Sequence, residues 1–237
     1  MATFVLVHGA WHGGWCWQKI IPFLQEAGHE VYAPTLTGLA ERASELSPEV
    51  GLDTHIQDVV GLLEEKNLHG VILVGHSYGG MVITGVVDAV PGRITHLVYL
   101  DTFVPRDGES MVDVSPLVIR LLRRQAQADG WRIDSRGTYG VTTEPDRSWV
   151  LRSVTPHPLK TLEQPLHLKN PAIVSSFPRT HIECTSGGFF FSLMRRILAP
   201  RALPPTEAGW RLRQLPTGHD AMITAPRELA DLLLEVV

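Results

Sequence analysis

Short apolar runs alternate with segments of helical periodicity along the first hundred residues of the chain. The runs rich in Val, Ile and Leu predict buried strands, because continuous apolar stretches are typical of parallel strands covered on both faces. The segments between them carry apolar residues at helical intervals and predict helices. The predicted strands are 3–8, 29–34, 70–75 and 94–101, and the predicted helices are 16–28, 53–68 and 78–90. Asp53 is the predicted N-cap of the second helix.

The alternation breaks after residue 102, and the segment 103–170 has many prolines, scattered charges and helix-like pieces without a strong strand. An insertion of this length in a regular α/β pattern is typical of a lid rather than a structureless loop. The sequence therefore predicts an α/β core formed by 1–102 and 171–237, with a mostly parallel central sheet flanked by helices and a cap inserted at 103–170. The later core elements are predicted at 180–185, 188–198, 210–216 and 226–237.

Composition and charge narrow the class of protein. The chain has 237 residues, of which 44% are hydrophobic, and this suits one large α/β domain. The formal net charge of -4 argues against a nucleic-acid partner, whose signature would be a strong basic excess. No apolar run reaches the roughly 18 residues that a membrane-spanning helix needs, and no signal-type segment precedes the first predicted strand. We therefore expect a cytoplasmic protein with no membrane partner, as a monomer or homodimer.

The two cysteines, Cys16 and Cys184, lie far apart in the sequence. A disulfide framework would need more cysteines in a short secreted chain. Both are therefore predicted to be free, buried thiols, and no spacing typical of a zinc site is present.

The stretch Gly75-His76-Ser77-Tyr78-Gly79 lies between a predicted strand and a predicted helix. The pattern G-x-S-x-G in this setting is typical of a nucleophile at a sharp strand-to-helix turn, where glycines let neighbouring segments approach closely. A phosphate loop would need a P-loop lysine or a G-x-G-x-x-G fingerprint, and the stretch has neither. The remaining alternative is a glycine-rich loop that only permits tight packing. The context favours Ser77 as a nucleophile.

A serine hydroxyl needs a general base and donors for the developing oxyanion. His219 follows the last predicted strand, where the chain order Ser, acid, His places the base. The alternative for His219 is a surface-loop histidine. The loop 7–15 follows the first strand, and the backbone N–H groups of Ala10 and Tyr78 are the predicted oxyanion donors.

Three stretches, LVHGAWHGGWCW, LVGHSYGGM and GHDAM, carry a family resemblance. The chain resembles the α/β-hydrolase superfamily and, more narrowly, the plant-type methyl-esterase and hydroxynitrile-lyase family with its bacterial esterase relatives. The resemblance covers about the first hundred and the last thirty residues closely, and the inserted segment only in its length. It implies a sheet of eight strands or slightly fewer, a helical cap, no cofactor, and ester or cyanohydrin substrates.

The chain departs from the lyases of this family at two positions. They have a threonine where this chain has Ala10, and a lysine directly after the catalytic histidine where this chain has Asp220. An anion beside the base would repel cyanide rather than stabilise it. Ester hydrolysis is therefore the leading interpretation. The alternatives are a hydroxynitrile-lyase-like or other non-hydrolytic enzyme of the same fold, and a small-molecule receptor with a vestigial triad.

The acid of the triad is the open position. The family usually places an aspartate just after the strand that reads THIECT here, but the next residues, SGGFFF, contain no carboxylate. Three explanations compete: Glu183 is recruited, the site is a dyad without an acid, or Asp101 at the end of the neighbouring strand supplies the carboxylate. Neighbouring parallel strands end on the same edge of a sheet, so Asp101 can reach the base. Asp101 is predicted as the acid and Glu183 as the alternative, although Asp101 could also be a turn residue.

Ligand pockets in this architecture lie between the strand ends and the lid. No basic residue is obviously placed to bind a free carboxylate, so the predicted substrate is a small apolar or aromatic carboxylic ester, hydrolysed through an acyl-enzyme intermediate. A structural role in the core is the alternative for each candidate side chain. The candidate substrate contacts are Trp11, His12, Phe103, Trp131, Trp149 and the aromatic run 189–191.

Overall fold

The computed structural model describes residues 1–114, 116–124, 126, 129–135, 137–186 and 209–237. Its central strands are β1 (Thr3–Val7), β2 (Glu30–Tyr32), β3 (Val71–His76), β4 (Ile94–Leu100), β7 (Arg179–Cys184) and β8 (Trp210–Leu215), and β5 (Arg132–Ile133) and β6 (His157–Pro158) form a separate antiparallel pair. The central sheet has six strands in the order β2-β1-β3-β4-β7-β8. All neighbouring strands in it are parallel.

The predicted α/β architecture with a mostly parallel sheet is confirmed. Each predicted strand is present, with its ends within two residues of the expected positions. The register brings His76 opposite Leu100, and Leu100 opposite Ile182. The residues that follow β3 and β4 therefore emerge side by side at the carboxyl edge of the sheet, where sites form in this architecture.

Helices cover both faces of the sheet. The helix predicted at 188–198 lies outside the described residues. The helices are α1 (Ile21–Glu26), α2 (Leu52–Glu65), α3 (Gly79–Ala89), α4 (Met111–Val114), α5 (Pro116–Arg124), α6 (Asp146–Ser153), α7 (Lys160–Glu163), α8 (Pro171–Ser176), α9 (Ala221–Thr224) and α10 (Pro226–Leu234).

Two helix starts differ from the prediction. The segment 16–28 divides into a 3-10 helix at Gly14–Trp17 and α1, with Pro22 in the first turn of α1, where its missing N–H leaves no hydrogen bond unmade. The predicted N-cap of α2, Asp53, is wrong. The cap is Gly51, whose N–H donates to the Thr54 hydroxyl at 3.2 Å, while Asp53 lies inside the first turn.

The core lies in two layers, one on each face of the sheet. Along β1, Val5 and Val7 pack into the layer that contains α2 and α3, whereas Phe4 and Leu6 pack into the layer that contains α1 and α10. This alternation means that both faces of the strand are buried, which explains why the strand appears in the sequence as a continuous apolar run. Both cysteines are buried thiols that form no disulfide, as predicted.

The inserted segment lies against the loop that follows β1. None of its described residues joins the central sheet. The Thr155 N–H donates to the Trp11 carbonyl at 3.0 Å, and Nδ1 of His157 accepts from the Trp11 N–H at 3.3 Å. The limits of the cap, 103–170, stay a prediction. Within the described residues, no helix combines the length and the apolar character that crossing a membrane requires.

Candidate active site

Ser77 lies at the turn between β3 and α3 in the left-handed region, with φ of 52°. This conformation is strained for a residue with a side chain. The Ser77 N–H donates to the Leu100 carbonyl at 3.1 Å, and the Ser77 carbonyl accepts from the Thr102 hydroxyl at 2.5 Å. Ser77 is half-buried while the residues on both sides are buried. The turn therefore presents this side chain outward, as a nucleophile elbow does.

The glycines of the elbow are needed because backbone atoms approach them closely. A Cβ added at Gly75 would lie 2.6 Å from the Gly79 carbonyl oxygen, and one added at Gly79 would lie 2.7 Å from the Val7 carbonyl oxygen. Backbone carbonyls in a sheet and a helix cannot move aside as a flexible side chain can. The G-x-S-x-G pattern thus has a packing cause as well as a chemical one.

His219 and Asp101 come together at the carboxyl edge of the sheet. Nδ1 of His219 lies 2.6 Å from Oδ2 of Asp101, and Oδ1 of Asp101 accepts from the Cys184 N–H at 3.1 Å. The side chain of His219 is 29% exposed and that of Asp101 only 9%. The carboxylate is therefore largely shielded from water, while the imidazole reaches the surface.

The alternative acid occupies a different position. Oε2 of Glu183 accepts from the Gln214 side-chain amide on β8 at 3.1 Å. Glu183 lies inside β7, whereas Asp101 directly follows the end of β4, in a left-handed conformation with φ of 43°. The geometry favours Asp101 as the partner of His219, and the assignment of the acid stays a prediction.

The loop after β1 packs directly on the elbow. A Cβ added at Gly9 would lie 3.0 Å from the Ser77 Cβ, so the backbone of this loop passes close to the serine. Within the part of the chain that the structure describes, the N–H groups of Ala10 and Tyr78 donate no hydrogen bond to another residue. An oxyanion site beside a serine requires two backbone N–H groups that have no other acceptor.

The side chain of Tyr78 anchors the elbow in the interior. The ring is buried, and its hydroxyl lies 3.0 Å from Nδ1 of His55. Nε2 of His55 lies 2.9 Å from the Thr37 carbonyl and must donate to it, so the Tyr78 hydroxyl is the donor to Nδ1. Burial lowers the pKa of His55 to about 4 and raises that of Tyr78, which keeps both groups neutral.

The residues predicted to contact substrate lie in different parts of the structure. That they contact substrate stays a prediction. Trp11 stacks on Tyr139 at 5.9 Å, and Phe103 is buried in the same core layer as Tyr78. Trp131 carries the Arg132 guanidinium over its ring at 5.3 Å. Trp149 packs edge-to-face on Trp15 at 5.1 Å. The aromatic run 189–191 lies outside the described residues.

His12 is bonded inside the protein rather than directed at an open surface. Its Nδ1 lies 2.8 Å from the Ala10 carbonyl, and its Nε2 lies 3.0 Å from Oδ2 of Asp220. From the sequence, Asp220 is expected to place an anion beside the base. The structure corrects this, because the Asp220 side chain is fully buried in its contact with His12.

Tyr139, in the inserted segment, was missed by the sequence analysis. Its ring lies 4.8 Å from that of His12 and 6.5 Å from that of His219, and its carbonyl accepts from the Asp220 N–H at 2.9 Å. No motif marks it, because it enters the site through tertiary packing alone. Among the described residues, no three His, Cys, Asp or Glu side chains are grouped so as to hold a metal ion.

The fold and the elbow at Ser77 define an α/β protein of the class whose sites lie at the carboxyl ends of parallel strands. Comparison with models of protein families supports this class and identifies the family within it. Residues 4–232 match the model of the alpha/beta hydrolase family, and the chain belongs to that family. The resemblance stated from the sequence motifs is thereby confirmed.

The relatives of the chain include bacterial and plant proteins. It is 39% identical, over 244 residues and 98% of both chains, to the carbendazim hydrolyzing esterase of Nocardioides sp. (strain SG-4G). It is 28% identical to salicylic acid-binding protein 2 of Nicotiana tabacum, over 98% of this chain and 96% of that one. A solved extracellular alpha/beta-hydrolase from a Paenibacillus species superposes with a TM-score of 0.81 at 25% identity, over 99% of this chain and 98% of that one.

Proposed function

We propose that the chain is a serine carboxylesterase that hydrolyses small apolar or aromatic carboxylic esters through an acyl-enzyme at Ser77. The hydrogen bond of 2.6 Å between Asp101 and His219, at the same sheet edge as the strained serine, carries the proposal. The 39% identical relative, an esterase by name, supports the same reaction class. No cofactor is needed for this chemistry, and the cytoplasmic location and the monomeric or homodimeric state stay predictions.

In the first half of the reaction, His219 takes the proton of the Ser77 hydroxyl as Oγ attacks the ester carbonyl. The N–H groups of Ala10 and Tyr78 donate to the oxyanion that forms. His219 then gives its proton to the leaving alcohol, and the acyl group remains on Ser77. In the second half, His219 activates water, which releases the acid and regenerates the serine.

Asp101 determines which nitrogen of His219 is available. Nδ1 must carry a proton to donate to the carboxylate, so the lone pair of Nε2 is left to act as the base. The carboxylate also stabilises the imidazolium that forms in each half-reaction, because it lies in surroundings from which water is largely excluded.

The apolar character of the proposed substrate rests on the aromatic side chains near the base. Trp11 and Tyr139 stack on one another, and the ring of Tyr139 lies 6.5 Å from that of His219. Aromatic faces favour flat or apolar groups over anionic ones.

The experiment compares turnover of a series of p-nitrophenyl esters, from acetate to longer acyl and aryl esters, by wild type and Ser77→Ala. We expect a burst of p-nitrophenol from wild type and loss of turnover in Ser77→Ala, whereas Ser176→Ala, which removes an exposed hydroxyl on α8, should retain the wild-type rate. Absence of wild-type turnover, or equal rates with Ser77→Ala, would refute the proposal. Salicylate binding without turnover would favour the receptor alternative, and cyanohydrin cleavage would favour the lyase.

A further inference from the structure

A second acid–imidazole pair lies behind the proposed catalytic one. We call Asp220 and His12 the inner pair. Oδ2 of Asp220 is 3.0 Å from Nε2 of His12, and the two side chains are 0% and 2% exposed. Asp220 directly follows His219, yet its side chain points into the protein. The inner pair therefore has no access to substrate and has no part in the reaction steps proposed above.

Hydrogen-bond donors and acceptors show that the inner pair shares one proton. The Ala10 carbonyl can only accept, so Nδ1 of His12 must carry a hydrogen to make its contact of 2.8 Å. The contact between Nε2 and Asp220 then needs a further proton on one of the two atoms. Whichever atom holds it, the inner pair as a whole is neutral. A neutral buried unit avoids the large cost of an unpaired buried charge. Its outer nitrogen, Nδ1 of His12, is bonded to the Ala10 carbonyl, whereas Oδ1 of Asp220 makes no hydrogen bond within the described residues.

The inner pair joins the two loops that carry the proposed base and an oxyanion donor. One end is Asp220, covalently next to His219. The other end is His12, which holds the carbonyl of Ala10, the residue whose N–H is the proposed donor. A third contact ties the base to the elbow, because His76, which precedes Ser77, lies 3.0 Å from the His219 carbonyl through its Nε2.

The loop that carries His219 has other anchors. The Asp220 N–H donates to the Tyr139 carbonyl at 2.9 Å, and the Thr224 hydroxyl donates to the Asp220 carbonyl at 3.0 Å. These bonds fix the backbone of the loop without the Asp220 carboxyl. The Asp220 carboxyl adds a connection that these bonds do not make. Through His12, it joins the His219 loop to the loop that carries Ala10.

We propose that Asp220 and His12 are positioning residues that hold the His219 loop and the Ala10 loop at the spacing the reaction needs. The inference rests on the proposed function, since it assumes that Ser77, His219 and the Ala10 N–H act together. Loss of the inner pair lets the two loops relax apart, and a displacement near 1 Å can cost about 10²-fold in rate. Both half-reactions use the same donor and base, so kcat falls and KM changes little.

The test measures kcat and KM for p-nitrophenyl ester hydrolysis, with circular dichroism and thermal unfolding to show that each variant is folded. Asp220→Ala and His12→Phe should each lower kcat by about 10²-fold with KM within about threefold. His12→Phe keeps a ring for the stacking on Trp15 and removes both hydrogen bonds. The double variant should be no slower than the slower single variant, because one connection can be lost only once.

Asp220→Asn is the conservative variant. Its amide can donate to Nε2 of a neutral His12, so it restores the link without a carboxyl group and should recover most of the wild-type kcat. The matched control is Thr180→Val, which removes the partner of a buried histidine at the opposite end of the sheet, where Nε2 of His96 lies 2.9 Å from the Thr180 hydroxyl. It should lower the unfolding temperature and leave kcat unchanged.

The inference is overturned if the kcat of Asp220→Ala or of His12→Phe equals that of Thr180→Val. It is also overturned if Asp220→Asn is as slow as Asp220→Ala. Additive losses in the double variant overturn it too. If Asp220→Ala does not fold, His12→Phe and Asp220→Asn decide. A wild type without ester turnover overturns the proposed function and this inference with it, whereas an active wild type with an unimpaired His12→Phe overturns this inference alone.

Discussion

Replacing Asp101 by Asn tests the proposed acid with little change of shape. The two carboxylate oxygens have contacts of different kinds, since Oδ1 accepts from the Cys184 N–H and Oδ2 faces Nδ1 of His219. In the Asp101→Asn variant the amide oxygen remains the acceptor for the Cys184 N–H, because the amide nitrogen cannot accept. The NH₂ group then faces His219 and donates to Nδ1. This forces the proton of the imidazole onto Nε2, where the Ser77 proton would have to go.

The size of the effect follows from that tautomer. An imidazole with a hydrogen on Nε2 cannot act as the base for Ser77, and the positive charge that forms on His219 also loses its carboxylate. Placing the base in the wrong tautomer costs about 10⁴-fold in kcat in a serine-hydrolase triad. This corresponds to about 5.5 kcal/mol in the activation barrier. Asp101→Asn should retain the wild-type fold, because it keeps the volume of the side chain and the bond to Cys184.

The assay is steady-state hydrolysis of a p-nitrophenyl ester, compared between wild type, Asp101→Asn and Glu183→Gln. Glu183→Gln is the matched control, since it makes the same carboxyl-to-amide change at the alternative acid, whose Oε2 contacts Gln214. It should stay within about threefold of wild type. An Asp101→Asn enzyme with a near-normal rate would refute the reasoning, and a large loss confined to Glu183→Gln would transfer the role to Glu183.

Two further predictions concern strain and acid stability. Ser77 has φ of 52°, a left-handed conformation that glycine adopts without the strain a side chain causes. Ser77→Gly should therefore be about 0.5–1 kcal/mol more stable than Ser77→Ala in thermal unfolding, although both variants are inactive. Equal stabilities of the two variants would contradict this prediction. Burial lowers the pKa of His8 to about 3 and of His55 to about 4, from 6.5. Each therefore removes about 1.4 kcal/mol of stability per pH unit as the pH falls below 6.5, and circular dichroism in denaturant at pH 7 and pH 5 should show the loss.

The sheet could be predicted from sequence because burial on both faces leaves a continuous apolar signal. β3 shows this most clearly, since every residue of Val71–His76 is buried. Helix starts were less predictable. Asp53 matched the preference for a polar N-cap, but the cap is Gly51, whose N–H donates to the Thr54 hydroxyl. The choice between two such starts depends on tertiary contacts, among them the bond of 2.6 Å between Asp53 and Gln164 of the inserted segment.

In the candidate site, the residues that the sequence predicts have local signals, and the contacts that it does not predict join distant residues. Ser77 has a pattern of five residues, and His219 has a fixed place after the last strand. Asp101 followed from the rule that parallel strands end on one edge. The inner pair joins residues 208 positions apart. Nothing in either neighbourhood of the sequence shows that Asp220 turns inward to meet His12, because that contact arises only when the two loops pack together.

Burial distinguishes the proposed base, His219, from the other histidines near the elbow, because buried rings do not readily take up a proton. The pKa of His8 falls to about 3 and that of His76 falls well below 6.5, in both cases mainly because the ring is removed from water. These imidazoles stay neutral at neutral pH and cannot take the serine proton at low cost. His219 is 29% exposed and has the Asp101 carboxylate at Nδ1, so its charged form is hydrated on one side and paired on the other. The same burial that disqualifies His8 and His76 as bases fits them to hold the elbow and its neighbouring loop in place.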